Sequence, residues 1–85
     1  MENDLLVRLM ATMGRLGFDE ANVSLERTSS RKVGGVIKSD KFHGKSQIVR
    51  QEELWEALRE QLSEADLSRI VALLTVTPDE VGDDD

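Results

Sequence analysis

Apolar residues near the start of the chain recur at the spacing of a helix. Leu6, Leu9, Met10, Met13 and Leu16 follow the i, i+3, i+4 rhythm. This predicts an amphipathic helix over 4–17, capped by Asn3 or Asp4 and ended by Gly17. From Asn22 to Arg27 the period changes to two, with Val23 and Leu25 on one face and Ser24 and Glu26 on the other, as in a half-buried strand. Thr28-Ser29-Ser30 reads as a polar turn. Val33–Phe42 reads as a second strand, and its adjacent Gly34 and Gly35 predict a bulge or a close backbone approach.

Gly44-Lys45-Ser46 breaks the strand pattern and opens a second helix. Ile48, Trp55, Leu58 and Leu62 lie along one face of it, with Leu54 beside them and charged residues over much of the rest. Trp55 is expected to be mostly buried against the sheet. Ser63, with Asp66 three residues on, predicts a short capped turn. Ile70–Thr77 is apolar on both faces, which predicts a central strand, and Pro78 should end it.

The predicted order is α-β-β-α-(α)-β, an α+β fold with a three-stranded mixed sheet and helices packed on one face. The first two strands should form an antiparallel hairpin. The last strand, returning after a helical crossover, should run parallel to the second. A chain of 85 residues has room for one domain, expected over 1–78, followed by a flexible acidic tail over 79–85.

Composition narrows the chemistry. The absence of cysteine excludes disulfides, zinc knuckles and thiolate-held clusters within this chain. No apolar run approaches the ~20 residues that span a bilayer, so no membrane partner is expected. The acidic start lacks the positive charge that opens a secretory signal, and a cytoplasmic location is the expectation. The net charge of −6 is unevenly spread: seven of the eleven basic residues fall within 27–50, alongside one acid, Asp40. That stripe would attract an anion although the whole chain would repel one.

The candidate contact residues are Lys38, Lys41, His43, Gly44, Lys45, Ser46 and Arg50, for an acidic protein partner that would also touch the hairpin, or for nucleic-acid phosphates. Exposed aromatics for base stacking are scarce. No Ser-His-Asp set or paired carboxylates can be identified, so the expected role is non-enzymatic binding, with no metal and no cofactor. Gly14-Arg15-Leu16-Gly17 matches a Gly-x-x-Gly string but lies before the first strand, where a helix ending is expected. Gly44-Lys45-Ser46 lacks the upstream glycine of a phosphate loop, Ser39 standing there instead.

Phe42, Gly44, Lys45, Ser46, Ile48 and Arg50, then Ala57 and Leu58, follow the pattern Phe-x-Gly-Lys-Ser-x-apolar-x-Arg and x-Ala-Leu. Thr77-Pro78-Asp79-Glu80 follows Thr-Pro-x-Glu. In these motifs and in element order the chain resembles the BolA-like family, whose fold is related to the type II KH arrangement. The resemblance implies an adaptor of regulatory or stress-related type, with a monothiol glutaredoxin as partner and a shared [2Fe–2S] cluster. A KH-like nucleic-acid binder using 38–50 is the alternative. Arg69, Thr28-Ser29-Ser30-Arg31 and Gln51 stand where that family carries its histidines or cysteine. Arginine stays protonated and does not ligate iron.

Overall fold

A computed structural model describes residues 5–29 and 31–82. Its first helix, α1 (Leu5–Arg15), buries Leu5, Leu9, Thr12 and Met13 along one stripe. Gly17, at φ 93°, ends it, with Phe18 N donating to Met13 O and Gly17 N to Gly14 O. This paired closure is the Schellman ending, which requires a left-handed residue and favours glycine. The Gly-x-x-Gly string is thus a helix terminus.

A 3-10 turn at Glu20–Asn22 leads into β1 (Val23–Ser29), which pairs antiparallel with β2 (Lys32–Lys38). β1 runs longer than its sequence pattern suggests, taking in Thr28 and Ser29, and Ser30 lies outside the described residues. Arg31 takes φ 68° as the chain reverses. β2 ends at Lys38, short of Phe42, and Ser39 caps a 3-10 turn over Asp40–Phe42 by accepting from Lys41 N at 3.0 Å. Phe42 still reaches the core, at 5 % exposure.

Two helices follow, α2 (Gln47–Gln61) and α3 (Glu64–Leu67), capped by Ser46 and Ser63. Ser63 Oγ accepts from Asp66 N, as the capping pattern predicts. Arg8 of α1 grips Asp66 through both carboxylate oxygens, at 2.7 and 3.1 Å, and Arg15 donates to Gln61 of α2. These contacts tie the first helix to the two that follow.

β3 (Ile70–Val76) pairs parallel with β2, giving the order β1-β2-β3. The hairpin, the parallel return and the glycine-associated bulge, a register shift at Val33/Gly34, agree with the sequence expectation. The position of β3 does not, because it is an edge strand with β2 in the centre. Its edge is protected by side chains. Val76 O accepts from Ser39 N of the segment after β2, so the carbonyls of Leu73 and Thr75 point the other way. Gln51 and Gln47 of α2 donate to those two carbonyls at 2.8 and 2.9 Å. An edge occupied in this way does not offer itself for strand addition.

Val23, Val33, Ile37, Leu73 and Thr75 face the helices and are buried. The opposite face carries no layer among the described residues, and Leu74 on it is 59 % exposed. That is why β3 is apolar on both sides without being central. On α2 the buried stripe is Arg50, Leu54 and Leu58, whereas Ile48 is 71 % exposed and Trp55 only half-buried. The expected Ile48–Trp55–Leu62 face is therefore rotated toward Leu54, because the helix buries an arginine at its start. No helix among the described residues is long and apolar enough to cross a membrane.

Candidate functional site

The hairpin divides the basic stripe between opposite ends of the sheet. Lys38, Lys41, His43, Gly44, Lys45, Ser46 and Arg50 gather where β2 ends. Arg27, Arg31 and Lys32 lie at the hairpin end, where Arg69 joins them just before β3. Seven residues of β2, roughly 20 Å at 3.3 Å per residue, separate the two groups.

At the first end the motif residues mostly hold the fold together. Arg50 is 5 % exposed, not the surface cation expected from the sequence. Its Nε donates to Lys45 O at 2.9 Å and its Nη1 to Thr75 O at 3.1 Å. Both terminal nitrogens bind Glu80, each at 3.0 Å, in a bidentate pair. Glu80 belongs to α4 (Pro78–Gly82), so residues expected in a frayed tail form a helix, and residues 83–85 lie outside the described part. The reason is local. Thr77 Oγ1 accepts from Glu80 N while Glu80 Oε1 accepts from Thr77 N, a capping box with proline at the first helical position. Thr77-Pro78-Asp79-Glu80 is thus a capping device, and Arg50 clasps it to α2.

The rest of that motif is consumed similarly. Lys45 Nζ sits 2.6 Å from Glu53. Ser46 Oγ accepts from Val49 N at 3.3 Å as the α2 cap, and Gly44 makes its turn at φ 80°. Lys41 lies over the Phe18 ring, 5.9 Å from its centre, and Phe18 stacks at 5.6 Å on Phe42. His43 is exposed, with Nε2 3.5 Å from Asp79. Lys38 points to the uncovered sheet face and has no ion pair among the described residues. A recess of about 170 Å³ between Phe18, Lys41, Phe42, Lys45 and Glu53 is smaller than the ~300 Å³ at which ligand pockets begin.

The Arg50 hydrogen bonds, and next the Thr77 N–H, lower the Glu80 carboxyl from 4.5 to about 2. The folded chain favours the carboxylate, so the clasp contributes fully above about pH 4.5 and is lost as pH falls toward about 2. Thermal melts of the parent and Glu80→Gln should therefore differ near neutral pH and converge across that window. A difference that persisted at the acid end would contradict the clasp.

The hairpin end differs. Arg31 and Lys32 are exposed, Arg27 is exposed beside them, and Arg69 is half-buried. Arg69 Nε donates to Arg31 O at 2.6 Å, which fixes the guanidinium and joins the hairpin turn to the start of β3. Sequence reasoning placed both arginines but did not bring them together, since only the parallel pairing of β3 does so. These are also the two positions where the BolA-like resemblance implies cluster ligands. With no imidazole or thiolate there, this end does not fit an iron–sulfur cluster, and His43 lies at the far end of β2. No group of three or more metal-binding side chains occurs among the described residues. Comparison with family models, with characterised proteins and with solved structures finds no match.

Proposed function

We propose that this chain is a non-enzymatic protein-interaction domain of BolA-like type that binds an acidic partner surface at the hairpin end of its sheet. The observation that carries this reading is the unequal use of the cations. Arg50 and Lys45 are held in pairs with Glu80 and Glu53, whereas Arg31 and Lys32 are exposed and gathered with the anchored Arg69. A planar guanidinium held by one nitrogen keeps its other donors for carboxylates, and its preset geometry lowers the entropy cost of binding. The contact surface is therefore narrowed from the hairpin and the Gly44–Arg50 turn to the hairpin end, at Arg31, Lys32 and Arg69.

Nucleic-acid binding through 38–50 is the weaker reading, because two of its four basic side chains are engaged within the chain. The test is capture of partners from extract by the intact chain, with and without nuclease, beside the triple variant Arg31→Glu, Lys32→Glu, Arg69→Glu. The same protein partner should survive nuclease and be lost with the triple variant. Partners that vanish on nuclease treatment, or that the triple variant retains, would contradict the proposal.

A further inference from the structure

We infer that the uncovered sheet face is the contact surface of a symmetric dimer, its occupant being a second copy of this chain. Two helices' worth of apolar surface packs on one side of the sheet, while the other side has no covering layer among the described residues. Three registered rows cross that face. The middle row is Ser24, Val36 and Leu74. On one side of it lies the row Glu26, Gly34 and Ala72. On the other lie Lys38 and Val76. Leu74 is 59 % and Val71, beside Gly34, 51 % exposed, and Val36 and Val76 are half-buried.

The two outer rows complement each other. A half-turn about the middle row, in the plane of the face, sets the second copy's Lys38 and Val76 over Gly34 and Ala72. Val76 then meets the exposed Ala72, whose side chain is a single carbon, while Gly34 lies buried beneath Val71 and Thr28. Lys38 crosses Gly34 toward Glu26 on the next strand, about 4.8 Å to the side and within reach of a lysine side chain. The same pair forms twice by symmetry, as an isologous interface requires. Neither Glu26 nor Lys38 has an ion pair within the chain among the described residues. Leu74 meets its own copy near the axis, as in an aligned sandwich of two sheets. The face is thus complementary to itself in charge order, Glu26 and Lys38 lying on opposite sides of the apolar middle row.

Sedimentation equilibrium of the intact chain from micromolar to millimolar concentration tests this. A monomer–dimer equilibrium is expected. Leu74→Asp, at an exposed position, should give a monomer with unchanged circular dichroism. Glu26→Lys and Lys38→Glu should each weaken the dimer about tenfold or more by placing like charges together, and the double swap should restore it to within a few-fold. Because both charges are exposed or half-exposed on the face, the swap leaves the hairpin-end cations intact. A monomer at every concentration overturns the proposal. So does a dimer indifferent to Leu74→Asp, or a double swap no tighter than its single variants.

Discussion

Replacing Leu58 with alanine should cost about 3 kcal/mol, more than replacing the much larger Trp55. Leu58 is fully buried, at 0 % exposure, within the cluster that includes Leu5, Leu9, Met13 and Ile37. Its removal leaves a cavity with neighbours from several elements, and such a site relaxes poorly. Trp55 packs at the margin of that cluster, and its Nε1 donates to Gln51 at 3.0 Å. Its loss should cost about 1–2 kcal/mol, as for half-exposed side chains generally. Urea unfolding of the two variants gives the order directly. A Trp55→Ala variant less stable than Leu58→Ala would place the indole in the core and contradict the packing of α2.

Gly35→Ala should be nearly as costly, about 3 kcal/mol, although it adds one carbon. A Cβ at Gly35 would collide with the Ser24 carbonyl oxygen and come within 3.0 Å of Leu25 Cα. Both are backbone atoms of β1, so the relief is to move one strand away from the centre of the sheet. Gly14→Ala is the control. Gly14 lies in α1, and a Cβ there meets no atom within 4 Å. That change should stabilise the chain by up to about 1 kcal/mol through helix propensity. Thermal melts should move in opposite directions for the two substitutions. A Gly35→Ala variant as stable as its parent would mean that β1 and β2 do not approach as closely as described.

The alternation of Val23 and Leu25, the helical spacing of Leu9 and Met13, the break at Gly44-Lys45-Ser46 and the cap Ser63 are local signals, and each marks its element correctly. The close approach at Gly35 was legible for the same reason, since two adjacent glycines in a strand have few other uses. What one segment does to another was not legible. Arg50 is a surface cation in any reading of its own helix. It becomes a buried clasp only because Glu80, thirty residues on, is fixed beside it by a capping box. The apolar character of Leu74 and Val71 does not distinguish a covered second face from an uncovered one, and so an edge strand reads as a central one. The candidate site suffered most. A run of basic residues along the sequence looks like one stripe, yet a hairpin reverses within it and sends its cations to opposite ends of the sheet. Arg69, distant in sequence, completes the end that remains exposed.

An anionic partner should bind the hairpin end and not the Gly44–Arg50 turn. Amide chemical-shift mapping of the intact, labelled chain tests it most directly, by titration with a glutamate-rich peptide at low salt and, separately, with single-stranded RNA of the same charge. The peptide should shift amides at 27, 31–33 and 69–70, added salt should reverse those shifts, and RNA of equal charge should bind more weakly. Shifts centred on 41–50, or RNA binding more tightly than the peptide, would contradict it.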